Sequence, residues 1–586
     1  MKTLIVAVNS KFIHSSLAAY YLKYVCIEDV GEVKVLEYTI NDHKDQVLAS
    51  IYGEKAEVVA FSCYIWNYEY IKDIVTDLKA LLPHTKIILG GPEVSYNPEE
   101  VMYENSGVDY IIIGEGEVVF PHLLKNIFGC KENRKQEISI DLIKGLAYRK
   151  DGKVYCDNHY NMVSELTAIP SPYTEDMLQN LGPNRILYYE SSRGCPFSCS
   201  YCISSTFEGV RYFSMDKVKR DILWFINKKI RLVKFVDRTF NCNRERANEI
   251  LEFIVENAGD TNFHFEVAGD LFDEKMFRIL EKSPKGIIQF EIGIQTVNLE
   301  SLEAICRKTN LDQLFNNVRR LLASGNIHIH VDLIAGLPKE DFESFEDSFN
   351  KVYDLKPHQL QLGFLKLLKG SRIRREAEEF QYVYKRKAPY EILGSMFLSY
   401  DEIVRLKEIE ELVERYYNSG RFQKSLGYLI EGTGKTPFRF FDDLSRYWKS
   451  NGFFDRSISG RELYTILISY LRHMAYFDVA RANELLKLDF LSAENTNNLP
   501  KEITRSSDPI SNEEIFAFLK KDENIKKYLP HLEDVQPKNI FKQIHVESFS
   551  IDVIEKELPN HKTVILFDYT QRDKVTNLFT YHKILI

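Results

Sequence analysis

Short apolar runs alternate with amphipathic stretches over the first 130 residues, and this alternation restricts the possible folds more than any other feature of the sequence. The runs are rich in Val and Ile. Buried runs of this kind, separated by helix-forming segments, predict a parallel sheet covered by helices. We therefore expect residues 1–130 to form a doubly wound α/β domain. The predicted strands are Thr3–Val8, Val33–Tyr38, Val58–Tyr64, Lys86–Leu89 and Tyr110–Ile113.

The same alternation returns over residues 185–370. Six strand–helix repeats predict a partial or complete (β/α) barrel, whose chemistry would lie at the carboxyl ends of its strands. Residues 131–184 are expected to form a connector, in which Asp151-Gly152 predicts a β-hairpin over Gly145–Tyr155. The predicted barrel strands are Ile186–Glu190, Leu232–Val236, Asn262–Val267, Ile287–Ile294, His328–Ile334 and Gln359–Leu365.

Residues 371–586 have a different character. Asp401–Tyr417 and Arg461–Tyr476 are amphipathic at helical spacing, which predicts two long helices. Near the end, Gln543–Ile554, Thr563–Tyr569 and Leu578–Ile586 predict a small sheet. The third segment is therefore expected to be α-rich with a small terminal sheet.

The charge balance bears on possible partners. The chain has 76 Lys and Arg against 85 Asp and Glu, a net charge of −9, which does not favour binding of nucleic acid through bulk charge. Basic and aromatic residues interleave at Arg439–Phe441 and Arg446–Lys449. This pattern is typical of nucleic-acid surfaces and of amphipathic helices that pack on a core. Because the chain is acidic, we favour the amphipathic helix. No apolar run is long enough to span a membrane, and the first apolar run is too short for a signal peptide. We expect a cytoplasmic protein.

Three of the nine cysteines crowd into a C-x3-C-x2-C motif directly after the predicted strand Ile186–Glu190. The odd count and the thin spread of the others indicate reduced thiols. Three thiolates on one loop can hold three irons of a [4Fe–4S] cluster, and the fourth iron then stays open to a ligand. A zinc site, with a fourth ligand from His264 or Cys242, is the alternative. The clustered cysteines are Cys195, Cys199 and Cys202, and the others, interpreted as small buried apolar residues, are Cys26, Cys63, Cys130, Cys156, Cys242 and Cys306.

The cysteine motif, with Gly194 before it and Tyr201 before its last cysteine, resembles the signature of radical S-adenosylmethionine enzymes. That family folds as a (β/α) barrel. The resemblance implies that the open iron chelates S-adenosylmethionine, which is cleaved to methionine and a 5′-deoxyadenosyl radical. Later segments, Phe235–Asn241, Glu291–Thr296 and Asp332–Pro338, are similar to strand ends of the same family. The residues that the resemblance places at S-adenosylmethionine are Gly194, Tyr201, Asp237, Glu291 and Gln295.

Three turns follow strands of the N-terminal domain, where a doubly wound sheet binds ligands. Glycines in two of them allow close approach of a bulky ligand, but none forms the G-x-G-x-x-G motif of nicotinamide cofactors. The turns resemble those of the cobalamin-binding domain that precedes the radical barrel in one subclass of the family. The cobalamin contacts that this resemblance implies are Ser62, Trp66, Gly90, Gly91, Pro92, Glu93, Gly114, Glu115, Gly116 and Glu117.

The sequence lacks the motif D-x-H-x-x-G, whose histidine binds cobalt in many corrinoid proteins. Its nearest match, Asp157–His159, has no glycine, and His14 fits a packing role better than a ligand role. We therefore expect a cobalamin without a protein nitrogen on cobalt, a state that favours methyl transfer.

The segment from about Phe380 onward resembles the C-terminal domain of one branch of these proteins, through Ala388–Leu393 and Arg421–Leu426. Together the resemblances imply a cobalamin-dependent radical S-adenosylmethionine enzyme that methylates an unactivated carbon. They also imply a low-potential electron donor, flavodoxin or ferredoxin. Two alternatives remain open at this stage. One is radical rearrangement or cyclisation without methyl transfer, and the other is a non-catalytic corrinoid-binding or RNA-associated protein.

Overall fold

The computed structural model of the chain describes residues 1–26, 30–129, 139–182, 185–207, 209–475, 478–496, 498–554 and 562–586. Cys130 and the polar start of the predicted connector lie outside these residues. Two large sheets are followed by an α-rich segment with a small antiparallel sheet, which confirms the predicted α/β fold class.

Seven strands form the first sheet. They are β1 (Lys2–Asn9), β2 (Glu32–Thr39), β3 (Val58–Ser62), β4 (Lys86–Gly90), β5 (Tyr110–Ile112), β6 (Leu146–Lys150) and β7 (Lys153–Cys156). Their order is β2-β1-β3-β4-β5-β6-β7, and β1 to β5 are parallel. Four of the five apolar runs predicted as strands form the buried centre of a doubly wound sheet, as expected, and the fifth forms the half-buried edge strand β2. The helices of this part are α1 (Leu17–Val25), α2 (Lys44–Gly53), α3 (Tyr68–Leu81), α4 (Pro92–Ser95), α5 (Pro98–Glu104) and α6 (Val119–Phe128).

The hairpin predicted in the connector is present as β6 and β7. Its turn residues Asp151 and Gly152 both have positive φ, +51° and +76°, as a tight two-residue turn requires. β6 pairs antiparallel with β5, so the hairpin extends the first sheet.

Six parallel strands form the second large sheet. They are β8 (Leu187–Tyr189), β11 (Leu232–Phe235), β12 (Asn262–Val267), β13 (Ile288–Gln295), β14 (His328–Ala335) and β15 (Gln359–Phe364), and the small ribbon of β9 (Ser192–Gly194) and β10 (Val210–Tyr212) follows β8. The order is β15-β14-β13-β12-β11-β8, so the barrel is partial, with β8 and β15 at its edges. Apolar side chains alternate with polar ones along β13 and β14, which places a polar wall on one face. The helices of this part are α7 (Glu175–Leu181), α8 (Met215–Asn227), α9 (Arg244–Asn257), α10 (Glu274–Glu281), α11 (Leu299–Ala304), α12 (Leu311–Ser324), α13 (Phe342–Tyr353) and α14 (Arg372–Arg375).

Both edge strands of the barrel are covered by other parts of the chain. On the β8 side, the N–H of Ile186 donates to the carbonyl of Ile13 at 2.7 Å. On the β15 side, the Asn418 side chain exchanges two hydrogen bonds with the backbone of Leu360, at 2.8 and 2.9 Å. The first and third segments therefore satisfy the backbone groups that an open barrel edge leaves free.

The third segment is α-rich, as predicted. Its helices are α15 (Tyr400–Leu412), α16 (Ser425–Thr433), α17 (Pro437–Ser450), α18 (Gly460–His473), α19 (Val479–Ala493), α20 (Asn512–Leu519), α21 (Asp522–Tyr528) and α22 (Pro537–Ile540), and α15 continues as a π-helical turn, Val413–Asn418. Its strands are the pair β16 (Val383–Tyr384) and β17 (Ile392–Gly394) and the sheet of β18 (Ile544–Phe549), β19 (Thr563–Arg572) and β20 (Phe579–Ile584). On α17, Phe440, Phe441 and Trp448 are fully buried, which is the amphipathic-helix arrangement favoured from the sequence.

The turn between β19 and β20 packs against the amino end of the barrel. The ring of His328, at the start of β14, lies 2.8 Å from the carbonyl oxygen of Val575. Gly286 has φ +78°, and a Cβ there would lie 2.6 Å from the Lys574 side chain, so only glycine allows this contact. The carboxyl end of the barrel, where the candidate site lies, faces the other way. Within the described residues, no helix combines the length and the apolarity that crossing a membrane requires.

Candidate functional site

The cysteine motif occupies the loop that follows β9 at the carboxyl end of the barrel. The loop is fixed through Ser200, whose N–H donates to Ile305 and whose carbonyl accepts from Ile373, both at 2.9 Å. Gly194, directly before Cys195, has φ +104°, and a Cβ there would lie 2.2 Å from the carbonyl oxygen of Gly209. Gly194 is therefore needed for the close pairing of β9 with β10.

Cys195, Cys199 and Cys202 line one cavity of about 170 Å³. All three are free thiols, and Cys199 is buried. Among the described residues, no group of three His, Cys, Asp or Glu side chains is arranged to hold a single metal ion. The three thiols share their cavity with polar side chains from several strands. The thiols suit an iron–sulfur cluster, and the polar side chains suit a polar ligand beside that cluster.

Arg307, which no sequence motif marks, lies against this loop. Its guanidinium is 3.8 Å from Sγ of Cys199 and 3.4 Å from the hydroxyl of Tyr201, and it donates to the carbonyl of Gly293. Burial raises the pKa of the Cys199 thiol, and the nearby guanidinium opposes that shift. Arg307 follows α11 without any motif that marks it, so only the fold brings it to the cysteines.

Three of the five residues predicted at S-adenosylmethionine, Tyr201, Glu291 and Gln295, line the small cavity with the cysteines. Gln295 ends β13 at a bulge, with φ +74°, and its Oε1 is buried without a hydrogen-bond partner among the described residues. Oδ1 of Asp332, on the neighbouring strand, is also buried and unpartnered there. Strained or unsatisfied polar groups at a cavity indicate a place where a ligand binds.

Asp237 does not belong to this cavity, contrary to the prediction. It is 1% exposed and accepts hydrogen bonds from Ser191 N–H, Ser191 Oγ and Ser192 Oγ, at 2.9, 2.7 and 2.5 Å. These bonds fix the chain between β8 and the cysteine loop. Asp237 is therefore a structural carboxylate, and its role is to position the loop. Gly194 lines the larger cavity described below and not the small one.

Glu291 is the centre of an ionic group on the inner wall of the barrel. Its carboxylate lies 2.9 Å from Nζ of Lys234 and 3.1 Å from Nε2 of His264. Burial opposes its ionisation, but the nearby ring of His264 and the hydrogen bond from Lys234 lower the pKa of Glu291 to about 2. Burial and the negative charges of Glu291 and Glu266 raise the pKa of Asp332 well above its ordinary value. The wall therefore keeps Glu291 ionised, whereas the surroundings of Asp332 disfavour its charged form.

A second cavity, of about 680 Å³, lies between the first sheet and the barrel. It is lined by the carboxyl ends of β1, β3 and β4 on one side and by the start of the cysteine loop on the other. Tyr64 and Trp66 stack with ring centroids 4.4 Å apart, and both line the cavity. His14, whose ring bonds the hydroxyl of Tyr188, also lines it. Of the ten predicted cobalamin contacts, nine line this cavity: Ser62, Trp66, Gly90, Gly91, Pro92, Gly114, Glu115, Gly116 and Glu117.

Glu93 is the exception. It is 2% exposed, lies 3.1 Å from Nζ of Lys369 and accepts a hydrogen bond from the hydroxyl of Tyr390. The prediction that it contacts cobalamin is therefore not supported by its position. Glu93 joins the first domain to the chain after the barrel.

Ion pairs hold the two walls of the large cavity together. Arg211, on β10, bonds Glu115, and Arg193, on β9, pairs with Glu115, Glu117 and Glu190. The acidic turn after β5 is thus matched by arginines from the ribbon beside the cysteine loop. This contact fixes the turn after β5 against the ribbon that leads into the cysteine loop.

Two side chains line both cavities, Arg238 after β11 and Glu266 on β12. Arg238 belongs to the segment Phe235–Asn241, which resembles a strand end of the radical S-adenosylmethionine family, but that resemblance does not mark this residue. Thr239, the next residue, has Oγ1 3.6 Å from Sγ of Cys195. The junction of the cavities is therefore next to the cysteine loop.

Comparison with known proteins gives independent findings on this arrangement. The B12 binding domain family matches residues 3–124, the Radical SAM superfamily matches residues 189–352, and the family described as Protein of unknown function (DUF4080) matches residues 378–567. The order of the matched families is the order of the two sheets and the α-rich segment.

Two curated relatives and one solved structure illustrate the similarity. A cobalamin-dependent radical SAM methyltransferase, TokK, of Streptomyces tokunonensis is 26% identical over 328 residues, 53% of this chain and 47% of the relative. The anaerobic magnesium-protoporphyrin IX monomethyl ester cyclase of Rubrivivax gelatinosus is 23% identical over 352 residues, 58% of this chain and 62% of the relative. The chain thus matches about half to three fifths of the length of these relatives. The structure of the cobalamin-dependent S-adenosylmethionine radical enzyme OxsB with aqua-cobalamin bound has a TM-score of 0.59 at 14% identity, over 84% of this chain and 80% of that one, which shows the shared fold.

Proposed function

We propose that this chain, which is a radical S-adenosylmethionine protein with an N-terminal B12 binding domain, is a cobalamin-dependent methyltransferase that acts on an unactivated carbon. The observation that carries the proposal is the shared wall of the two cavities. Arg238 and Glu266 face both the cavity of the cysteine loop and the cavity beneath the first sheet. A substrate held there would meet both cofactors at once.

When bound, the cluster and S-adenosylmethionine supply a radical that removes a hydrogen atom, and cobalamin supplies a methyl group. Cys195, Cys199 and Cys202 would hold the cluster, and Arg307 would balance the negative charge of the thiolates. The unpartnered amide oxygen of Gln295 would accept a hydrogen bond from S-adenosylmethionine. The carboxylate of Glu291, held by Lys234 and His264, stays ionised and keeps a fixed orientation beside it.

Asp332 and Tyr201 act as neutral groups on the same cavity. Because the pKa of Asp332 is raised well above its ordinary value, its carboxyl can donate its hydrogen to a ligand. Burial likewise raises the pKa of Tyr201 and keeps its hydroxyl protonated. Protein dipoles and neutral donors would therefore replace water around the reacting groups, as radical chemistry requires.

In the large cavity, the glycine turns after β4 and β5 allow a bulky ligand to approach the backbone. The flat stack of Tyr64 and Trp66 would meet the face of a corrin ring. None of the predicted cobalamin contacts that line the cavity supplies a histidine nitrogen. His14, the histidine on its wall, is engaged by the hydroxyl of Tyr188. We retain the proposal of a cobalamin whose cobalt has no protein nitrogen ligand.

The radical step also needs one electron, and we propose flavodoxin or ferredoxin as its source, because both are low-potential carriers. The reconstituted protein can be assayed with dithionite in place of this partner. The test of the proposed function is then independent of the donor.

The test is an anaerobic assay of the protein reconstituted with iron, sulfide and cobalamin, with a metabolite extract of a deletion strain as the source of substrate. Methyl transfer predicts that substrate-dependent 5′-deoxyadenosine and S-adenosylhomocysteine form in equal amounts. Omission of cobalamin should abolish S-adenosylhomocysteine and leave 5′-deoxyadenosine. Substrate-dependent 5′-deoxyadenosine without S-adenosylhomocysteine would contradict methyl transfer.

That second outcome would support the other candidate, a radical cyclisation or rearrangement. The similarity to the protoporphyrin ester cyclase favours keeping this candidate. It uses the same two cavities and the same cysteine loop. Only the fate of the methyl group differs, so the count of S-adenosylhomocysteine separates the two.

A further inference from the structure

We propose, resting on the methyl transfer proposed above, that Arg238 anchors the substrate through an anionic group, a carboxylate or a phosphate, at the junction of the two cavities. Arg238 follows β11, and both Lys234 on that strand and Val236 directly after it line the large cavity. Its own side chain lines both cavities. An anion bound by this guanidinium would therefore lie between the two cofactor sites.

Arg238 is the arginine of the site whose guanidinium forms neither an ion pair nor a hydrogen bond among the described residues. Four arginines line the two cavities, and three of them are engaged. Arg193 and Arg211 pair with carboxylates, and Arg307 bonds the carbonyl of Gly293. The side chain of Arg238 is exposed and has neither an ion pair nor a hydrogen bond within the part of the chain that the structure describes.

The carboxylates on the same wall do not contact Arg238. The charge of Arg238 opposes the rise that burial causes in the pKa of Glu266, so the two side chains interact through space. The one ion pair of Glu266 among the described residues is nevertheless with Lys234, at 3.9 Å. Glu291 is held by Lys234 and His264. Burial and the neighbouring carboxylates raise the pKa of Asp332, which disfavours its charged form. A charged guanidinium that contacts no carboxylate keeps its N–H groups open to an anionic ligand or to solvent ions.

The position of Arg238 gives the anion a geometric role. Thr239, the next residue, contacts Cys195, so the backbone that carries Arg238 is tied to the cysteine loop. A guanidinium binds carboxylates and phosphates through two parallel N–H bonds, which fixes orientation as well as position. Glu266, on the adjacent strand, can accept a hydrogen bond from a neighbouring group of the same substrate. The substrate carbon would thus be held at a set distance from both cavities.

The test measures the accessibility of Arg238 in the reconstituted protein by modification with phenylglyoxal, followed by peptide mass spectrometry. Four conditions are compared at equal ionic strength: chloride, inorganic phosphate, malonate and S-adenosylmethionine. Arg238 should react in chloride. At ten times the dissociation constant of the protecting anion, its reaction should slow about tenfold. The anion that protects at the lower concentration identifies the group, phosphate or carboxylate.

Arg231 is the internal control. It lies directly before β11, is exposed, lines neither described cavity and has no ion pair among the described residues. Its reaction should be the same in all four conditions. A Glu266→Gln variant removes a competing negative charge, so the anion concentration that half-protects Arg238 should fall by about three- to tenfold.

Two results would overturn the inference. One is a labelling rate of Arg238 that, like the rate of Arg231, is the same in phosphate and in malonate as in chloride. The other is full protection of Arg238 by S-adenosylmethionine, which would assign the guanidinium to the cosubstrate. The labelling needs no turnover, so a missing S-adenosylhomocysteine signal in the methyl-transfer assay would contradict the proposed function alone.

Discussion

The guanidinium of Arg307 lies 3.8 Å from Sγ of Cys199, the most buried of the three cysteines on the loop. The same guanidinium is anchored at its other end by the carbonyl of Gly293 on β13. A cation is therefore fixed beside a predicted cluster ligand. Charge and hydrogen bonds near the sulfurs are among the main determinants of cluster reduction potential.

Arg307→Gln should lower the reduction potential of the cluster, because the extra negative charge of the reduced state loses a nearby cation. The expected shift is tens of millivolts, at about 60 mV for each 1.4 kcal/mol of lost stabilisation. The measurement is a potentiometric titration followed by electron paramagnetic resonance. Arg307→Lys retains the charge and should show a smaller shift. An unchanged reduction potential in Arg307→Gln would show that Arg307 does not influence the cluster.

Gly194→Ala should reduce the iron content of the reconstituted protein. An alanine Cβ would lie 2.2 Å from the carbonyl of Gly209, in a backbone conformation with φ +104°, so β9 and β10 could not pair as they do. Gly427→Ala is the matched control, because it lies inside α16 with no heavy atom within 4 Å of the added Cβ. That change should stabilise the helix by about 0.5–1 kcal/mol. Equal iron per chain in both variants would be evidence against this account of Gly194.

Glu93→Ala should destabilise the junction between the first domain and the chain after the barrel. It leaves Lys369, whose side chain is 12% exposed, without its counter-charge and removes the acceptor of Tyr390. Breaking a buried pair in this way costs about 3–5 kcal/mol. Thermal unfolding and limited proteolysis at the junction measure the effect. Glu99→Ala, an exposed site on α5, is the control, and a double variant with Lys369→Met should recover part of the loss.

The buried carboxyl group of Glu340 should make the free energy of local unfolding depend on pH. It is fully buried, and burial raises its pKa to about 7, although Thr296 and Ser348 donate hydrogen bonds to it. Because its pKa is higher in the folded state, its contribution is complete below the unfolded pKa of about 4.5 and is lost as the pH rises through 7. The free energy of local unfolding should be about 2–3 kcal/mol lower near pH 8 than near pH 5.

The measurement for Glu340 is hydrogen exchange of α13, corrected for the intrinsic effect of pH on exchange. Glu340→Gln cannot ionise, so its opening free energy should change little between the two pH values. A pH dependence as steep in the variant as in the wild type would show that another group is responsible.

Much of the fold could be predicted from the sequence because its strands are short apolar runs with clear ends. The barrel strands Asn262–Val267 and His328–Ile334, for example, agree with β12 and β14 to within one residue. The cysteine loop could also be located, since its motif directly follows β8 and β9. Local pattern alone was sufficient for these elements.

The partners of individual polar residues could not be predicted in the same way. Asp237 and Glu93 both lie near strand ends, where ligands bind. Each carboxylate is instead hydrogen-bonded to other residues of the protein and so has a structural role. The partner of Glu93, Tyr390, is almost 300 positions away along the chain. Arg307 shows the converse, because no motif marks it and the fold alone brings it to the small cavity. Arg238 lies in the segment Phe235–Asn241, but the resemblance of that segment does not indicate that Arg238 lines both cavities.

The most direct test of the central claim is the release of 5′-deoxyadenosine by anaerobically reconstituted, dithionite-reduced protein supplied with S-adenosylmethionine. Wild type and Cys156→Ala, a change on β7 outside both cavities, should release it at similar rates. Cys199→Ala should release none above background. Release by Cys199→Ala at the wild-type rate would contradict the assignment of Cys195, Cys199 and Cys202 as the ligands of a cluster that cleaves S-adenosylmethionine.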